Sequence, residues 1–143
     1  MDRLAERRWI GVAIGFAVLY PVVGVTFAAA ANPFRSNATV VAWRLAAWLA
    51  CAAAFAIHLG YERLALRSSA SRAALRAAIA VALGAFALAV WILVRAQLEG
   101  ASSRPSPKAP WALLVFPLVT GVPAFVAGFA AVALLARVRR RGG

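Results

Sequence analysis

Twenty-three consecutive residues, Trp9 to Ala31, carry no charge. A helix of that length rises about 35 Å, enough to cross a hydrocarbon core of about 30 Å. Three comparable runs follow: Ala38–Gly60, interrupted by Arg44 and His58; Ala77–Val94, extended at its start by an Ala-rich, helix-favouring stretch from Ser71; and Trp111–Ala136. In lipid every backbone N–H and C=O must find a partner inside the protein, so runs of this length are helices. The chain is therefore expected to be an all-α integral membrane protein, a four-helix transmembrane bundle with spans at about 9–31, 38–60, 73–95 and 111–136. These form one domain over residues 1–143, ending in a basic tail, 137–143.

Composition agrees. The chain is 64% hydrophobic and 14% charged, with a mean hydropathy of +0.83, far more apolar than a soluble domain. The net charge of +12 would suggest a nucleic-acid partner in a soluble protein. Here topology accounts for it, and no nucleic acid is expected. Arg3, Arg7, Arg8, Arg63, Arg67, Arg72, Arg76, Arg137, Arg139, Arg140 and Arg141 fall on one side of the spans. Arg35, Arg95, Arg104 and Lys108 fall on the other, and Arg44 lies within a span. By the positive-inside rule the richer side is cytoplasmic, which puts both termini inside, in the cell's inner membrane, with anionic lipid as partner at the cytoplasmic face.

The N-terminal basic pair, apolar run and small residues Ala28 to Ala31 imitate a secretory signal. The run is too long for a signal core, however, and Asp2 and Glu6 are foreign to its leading segment. Retention of the first span is expected. Between spans, residues 32–37 read as a tight turn opened by Asn-Pro and residues 100–110 as a Ser/Pro-rich loop. The stretch from Tyr61 to Arg72 should continue the second helix briefly, cap the third with a serine, and lie near lipid headgroups.

Inside the second span, Arg44, Cys51 and His58 recur every seven residues, and Glu62 follows four after His58. At 100° per residue they fall within about 40° of one another, a polar stripe that Trp48 and Phe55 share. An arginine at mid-span costs about 2.5–3.5 kcal/mol, so Arg44 must face other helices or snorkel outward. It reads either as a contact for an anion, substrate or quinone headgroup, or as a structural partner of Glu99 or of carbonyls freed in the fourth span. His58 reads as a proton relay, as the axial ligand of a cofactor held between subunits, or as an interfacial ring bonding Glu62 or a headgroup. Cys51 reads as a small packing residue.

The first and fourth spans carry prolines close to mid-membrane, in Tyr20-Pro21 and Phe116-Pro117, the latter followed by Thr120, Gly121 and Pro123. Each proline frees a carbonyl one turn earlier, so both helices are expected to kink there. Tyr20, Thr26 and Thr120 offer hydroxyl partners. Such broken helices hold sites in some transporters, although a packing kink is the simpler reading. Close packing is expected at Gly11 and Gly15, a GxxxG pair, and along Ala77, Ala80, Gly84 and Ala87.

The single cysteine and single histidine exclude an intrachain disulfide, a CxxC pair and bis-histidine haem ligation within one chain. No carboxylate lies in a span core, which disfavours a proton-coupled exporter. No catalytic set, metal cluster or phosphate loop is present in the sequence, so no enzyme, metal or cofactor is expected. The leading expectation is a non-catalytic subunit or accessory protein acting through helices, lipid or a larger complex, as a homo-oligomer or within that complex. The runner-up is a small oligomeric channel or transporter using the polar stripe. A weaker third reading is an electron carrier or enzyme with a cofactor held between His58 residues of neighbouring subunits.

Overall fold

A computed structural model describes residues 3–31, 36–98 and 109–141, with side chains over 8–31, 36–98 and 111–137. Residues 32–35, most of the 100–110 loop, Glu99 and the side chains of the basic tail beyond Arg137 lie outside the described residues. The chain forms four helices, α1 (Arg3–Ala31), α2 (Asn37–Leu64), α3 (Ala70–Leu98) and α4 (Ala109–Arg141). All four are long and apolar enough to cross a membrane. They exceed the expected spans at the ends, because charged and Ala-rich flanks such as Glu62-Arg63 and Ser71-Arg72 favour helix as readily as the apolar runs do.

Contacts between helices fix an up-and-down order. Trp9 of α1 meets Arg76 near the start of α3, whereas Gly24 meets Leu88 further along both, so α1 and α3 run parallel. Gly121 of α4 meets Ala82, and Gly128 meets Ala74, so α4 runs against α3. Phe16 of α1 stacks on His58 near the end of α2. The start of α1, the end of α2, the start of α3 and the end of α4 thus share one end of the bundle, here the turn end.

α3 is the central helix, packing on each of the other three. Its sequence explains why: Ala73, Ala74, Ala77 and Ala80 are fully enclosed, and methyl-sized side chains let neighbouring backbones approach. Leu59 of α2, Ala73 and Ala77 of α3 and Val132 of α4 form the apolar core at the turn end, with Phe55 and Ala70 against it. Gly84 is the tightest of these contacts. A Cβ there would lie 2.9 Å from the Tyr20 Cβ and 3.1 Å from the Ala17 carbonyl oxygen.

That carbonyl is the one Pro21 frees, so the backbone of α3 closes over it, in the manner of a weak Cα–H···O contact. α1 and α4 each continue through their prolines as single helices. Thr120 donates its hydroxyl to the Phe116 carbonyl at 2.8 Å, the back-bonding geometry that a buried or lipid-facing threonine adopts in a helix.

Two expected packing strips come out differently. Ala77, Ala80 and Gly84 are buried, but Ala87 is exposed, because one further turn carries it off the face that α1 covers. Gly11 and Gly15 are exposed, and a Cβ added to either meets nothing within 4 Å. The GxxxG face of α1 points away from the other described residues.

Candidate functional site

The polar stripe of α2 does not form one surface. Its turn-end half, His58 and Glu62, is fully buried, whereas Arg44 is exposed, Cys51 is intermediate, and Trp48 is 77% exposed. Arg44 and Glu62 are eighteen residues apart, five whole turns of helix, and share one azimuth, so what packs on α2 along its length sets the difference. α2 packs less on α3 than α1 does. The two halves therefore have different neighbours.

At the turn end the sequence builds a polar knot. The connection from α2 to α3 is short because Arg67 adopts φ of 48°, a left-handed conformation that reverses the chain. Ser68 then returns to Glu62 twice. Its backbone N–H donates to the Glu62 carbonyl at 3.0 Å, and its hydroxyl donates to Glu62 Oε2 at 2.9 Å. Arg63 donates to the Ser68 carbonyl at 2.6 Å. Ser69 begins α3 by accepting the Ala73 N–H on its carbonyl at 2.9 Å, and its hydroxyl oxygen lies 3.4 Å from the Arg72 N–H, which agrees with the expected serine cap.

Arg76 closes the knot from α3. Its Nη1 lies 3.1 Å from Glu62 Oε2 and 3.3 Å from the Ser68 hydroxyl, and its guanidinium carbon sits 4.7 Å from the centre of the Trp9 ring. One guanidinium thus joins α1, α2 and the connection between α2 and α3. The carboxylate is enclosed while the arginine side chain keeps 18% exposure, so the pair is partly screened.

His58 stands beside this knot, one turn before Glu62. Its ring lies flat on Phe16, with centroids 4.4 Å apart and planes 4° from parallel. Among the described residues, neither ring nitrogen has a hydrogen-bond partner. Glu62 Oε1 and the Tyr20 hydroxyl are likewise buried and unpartnered, and Phe16 also packs on Tyr20, at 6.5 Å between centroids. The expected His58 bond to Glu62 is therefore not made: Ser68 and Arg76 both bond Oε2, and Oε1 is not engaged by the His58 ring. Phe16 covers one face of the imidazole, and His58 is fully buried.

At the opposite end Arg44 lines a cleft of about 330 Å³ between α1 and α2, with Gly24, Phe27, Ala28 and Ala31 on one wall and Val40, Trp43 and Ala47 on the other. Phe27 and Trp43 meet edge to face at 5.7 Å. Among the described residues Arg44 has no hydrogen bond or ion pair. It bonds no carbonyl of α4, because it sits against α1; Glu99, the other expected partner, lies outside the described residues.

Of the broken-helix positions, Tyr20 is drawn into the turn-end site through Phe16. Gly121 serves as a close contact with Ala82, at 3.1 Å from an added Cβ. Pro117 lines an apolar groove between α3 and α4, and Pro123 lies within the continuous α4. Sequence reasoning missed the roles of Trp9, Phe16, Ser68 and Arg76. Arg76 was visible as a topogenic charge, but nothing in the spacing linked it to Glu62 fourteen residues earlier.

Fold and site together define an all-helical chain whose four helices suit a multi-pass membrane protein. No family model, curated protein or solved structure matches this chain.

Proposed function

We propose that this chain is a four-span inner-membrane protein with both termini cytoplasmic, and that it works without chemistry of its own, as a subunit or accessory protein. The observation that carries this reading is how the polar groups are used. The Glu62–Arg76 pair, with Ser68 and Trp9, holds the turn end of the bundle together, while long apolar faces stay uncovered. Those faces include Ile10 and Ile14 beside the outward glycines of α1, and Trp48 and Leu49 of α2. Lipid covers such faces, and so does another helix in a complex.

The test is purification in mild detergent followed by identification of what stays bound. A strictly monomeric species, with no protein partner and no specific lipid, would overturn the reading.

A small channel or transporter is the second reading, favoured by one observation. His58, Glu62 and Tyr20 present buried polar atoms without partners, the arrangement expected where a proton or ion passes. Arg44 takes no part in that path, since it faces a separate cleft. Proton or ion flux in liposomes should then fall on substitution of His58 by phenylalanine, and unchanged flux would remove this reading.

A further inference from the structure

We propose that the cleft between α1 and α2 binds one anionic phospholipid, its phosphate on Arg44 and an acyl chain along the small residues of the cleft. Arg44 lies seven residues into α2, about 10 Å along a helix that is apolar enough to span. A guanidinium there is costly without a counter-charge, and no described residue supplies one. Phosphate oxygens meet the guanidinium in a paired, charge-assisted geometry that a zwitterionic headgroup, with its own cation close by, satisfies less well.

The walls suit a chain rather than a soluble anion. Gly24, Ala28, Ala31 and Ala47 leave a slot between the two helices, and Ala28 and Arg44 are both open to the surroundings. Trp43, packed edge to face on Phe27, lines the cleft beside the charge. The apolar groove around Pro117 offers a contrast. It is lined by apolar side chains alone, so it has no means of choosing between lipids.

This inference rests on the four helices being membrane spans, and it stands whether or not the chain joins a larger complex. The test is native mass spectrometry of the full chain after exchange with equal amounts of phosphatidylglycerol and phosphatidylcholine. Wild-type protein should retain one phosphatidylglycerol in preference. Arg44→Gln should reduce that preference at least about five-fold, the loss of one charge-assisted contact, and Arg44→Lys should keep part of it.

Arg95→Gln, at an exposed arginine of the Arg44 end that lies outside the cleft, should change nothing. Ala28→Phe fills the slot and leaves the charge, so it should lower retention even where Arg44→Gln yields no folded protein. Absence of preference in the wild type, equal retention by Arg44→Gln, or equal losses in Arg44→Gln and Arg95→Gln would overturn the proposal. Failure to find a protein partner would leave it standing.

Discussion

Without the Glu62 carboxylate, the Arg76 guanidinium keeps Trp9 and Ser68 but loses its anion. Glu62→Ala should lower stability by about 2–3 kcal/mol, toward the lower end of the cost of breaking a buried pair because Arg76 is partly exposed. Thermal loss of helicity in detergent measures it, and Glu62→Ala with Arg76→Gln should cost less than the two single losses added. His58→Phe should behave in the opposite sense. Its ring stacks flat on Phe16 and its nitrogens have no partner, so an apolar ring there should hold or raise the melting temperature. Arg67→Val should lower stability by about 1 kcal/mol, since a β-branched residue resists the left-handed conformation at φ of 48°, whereas Arg67→Gly should not. At this scale the sequence was partly legible. That His58 and Glu62 share a face of α2 followed from spacing alone, but the partner of Glu62 did not, because Arg76 reaches it only after the turn at Arg67 folds α3 back.

Among the helices, glycine content alone did not identify the packing faces. Gly11 and Gly15 form the more recognisable motif, yet the close approach is at Gly84, where Tyr20 and the Ala17 carbonyl leave no room for a methyl group. A helix sequence shows that one side is small; which side meets a neighbour depends on how four helices are arranged, and that information is spread over the whole chain. Gly84→Ala should cost about 1–3 kcal/mol through overpacking against α1, and Gly11→Ala should cost nothing measurable in the isolated chain. A Gly11→Ala variant that dissociates a complex while leaving the chain's own melting unchanged would place the outward face of α1 at an interface between proteins. The prolines teach a similar lesson. Pro21 marks a carbonyl that α3 covers, a pairing visible only once α1 and α3 are known to lie parallel.

For the whole molecule, the four spans were legible because length and apolarity are local properties, and the helices are 28 to 33 residues long. Orientation is a separate matter, resting on the excess of arginine at the turn end. A reporter fused after Arg141 should read cytoplasmic, and an external signal would reverse the orientation or change the span count. The knot at the end of α2 has a mechanical consequence as well. A helix of 28 residues is about 42 Å long, more than a hydrocarbon core of about 30 Å, so in a membrane its ends reach the headgroup layers or it tilts. One end is held to α3 and α1 by Glu62 and His58, while the Arg44 end packs on α1 at Phe27 and Trp43. If α2 spans a membrane as proposed, a change of bilayer thickness acts on these two attachments unequally, and retention of anionic lipid at Arg44 should differ between thin and thick bilayers.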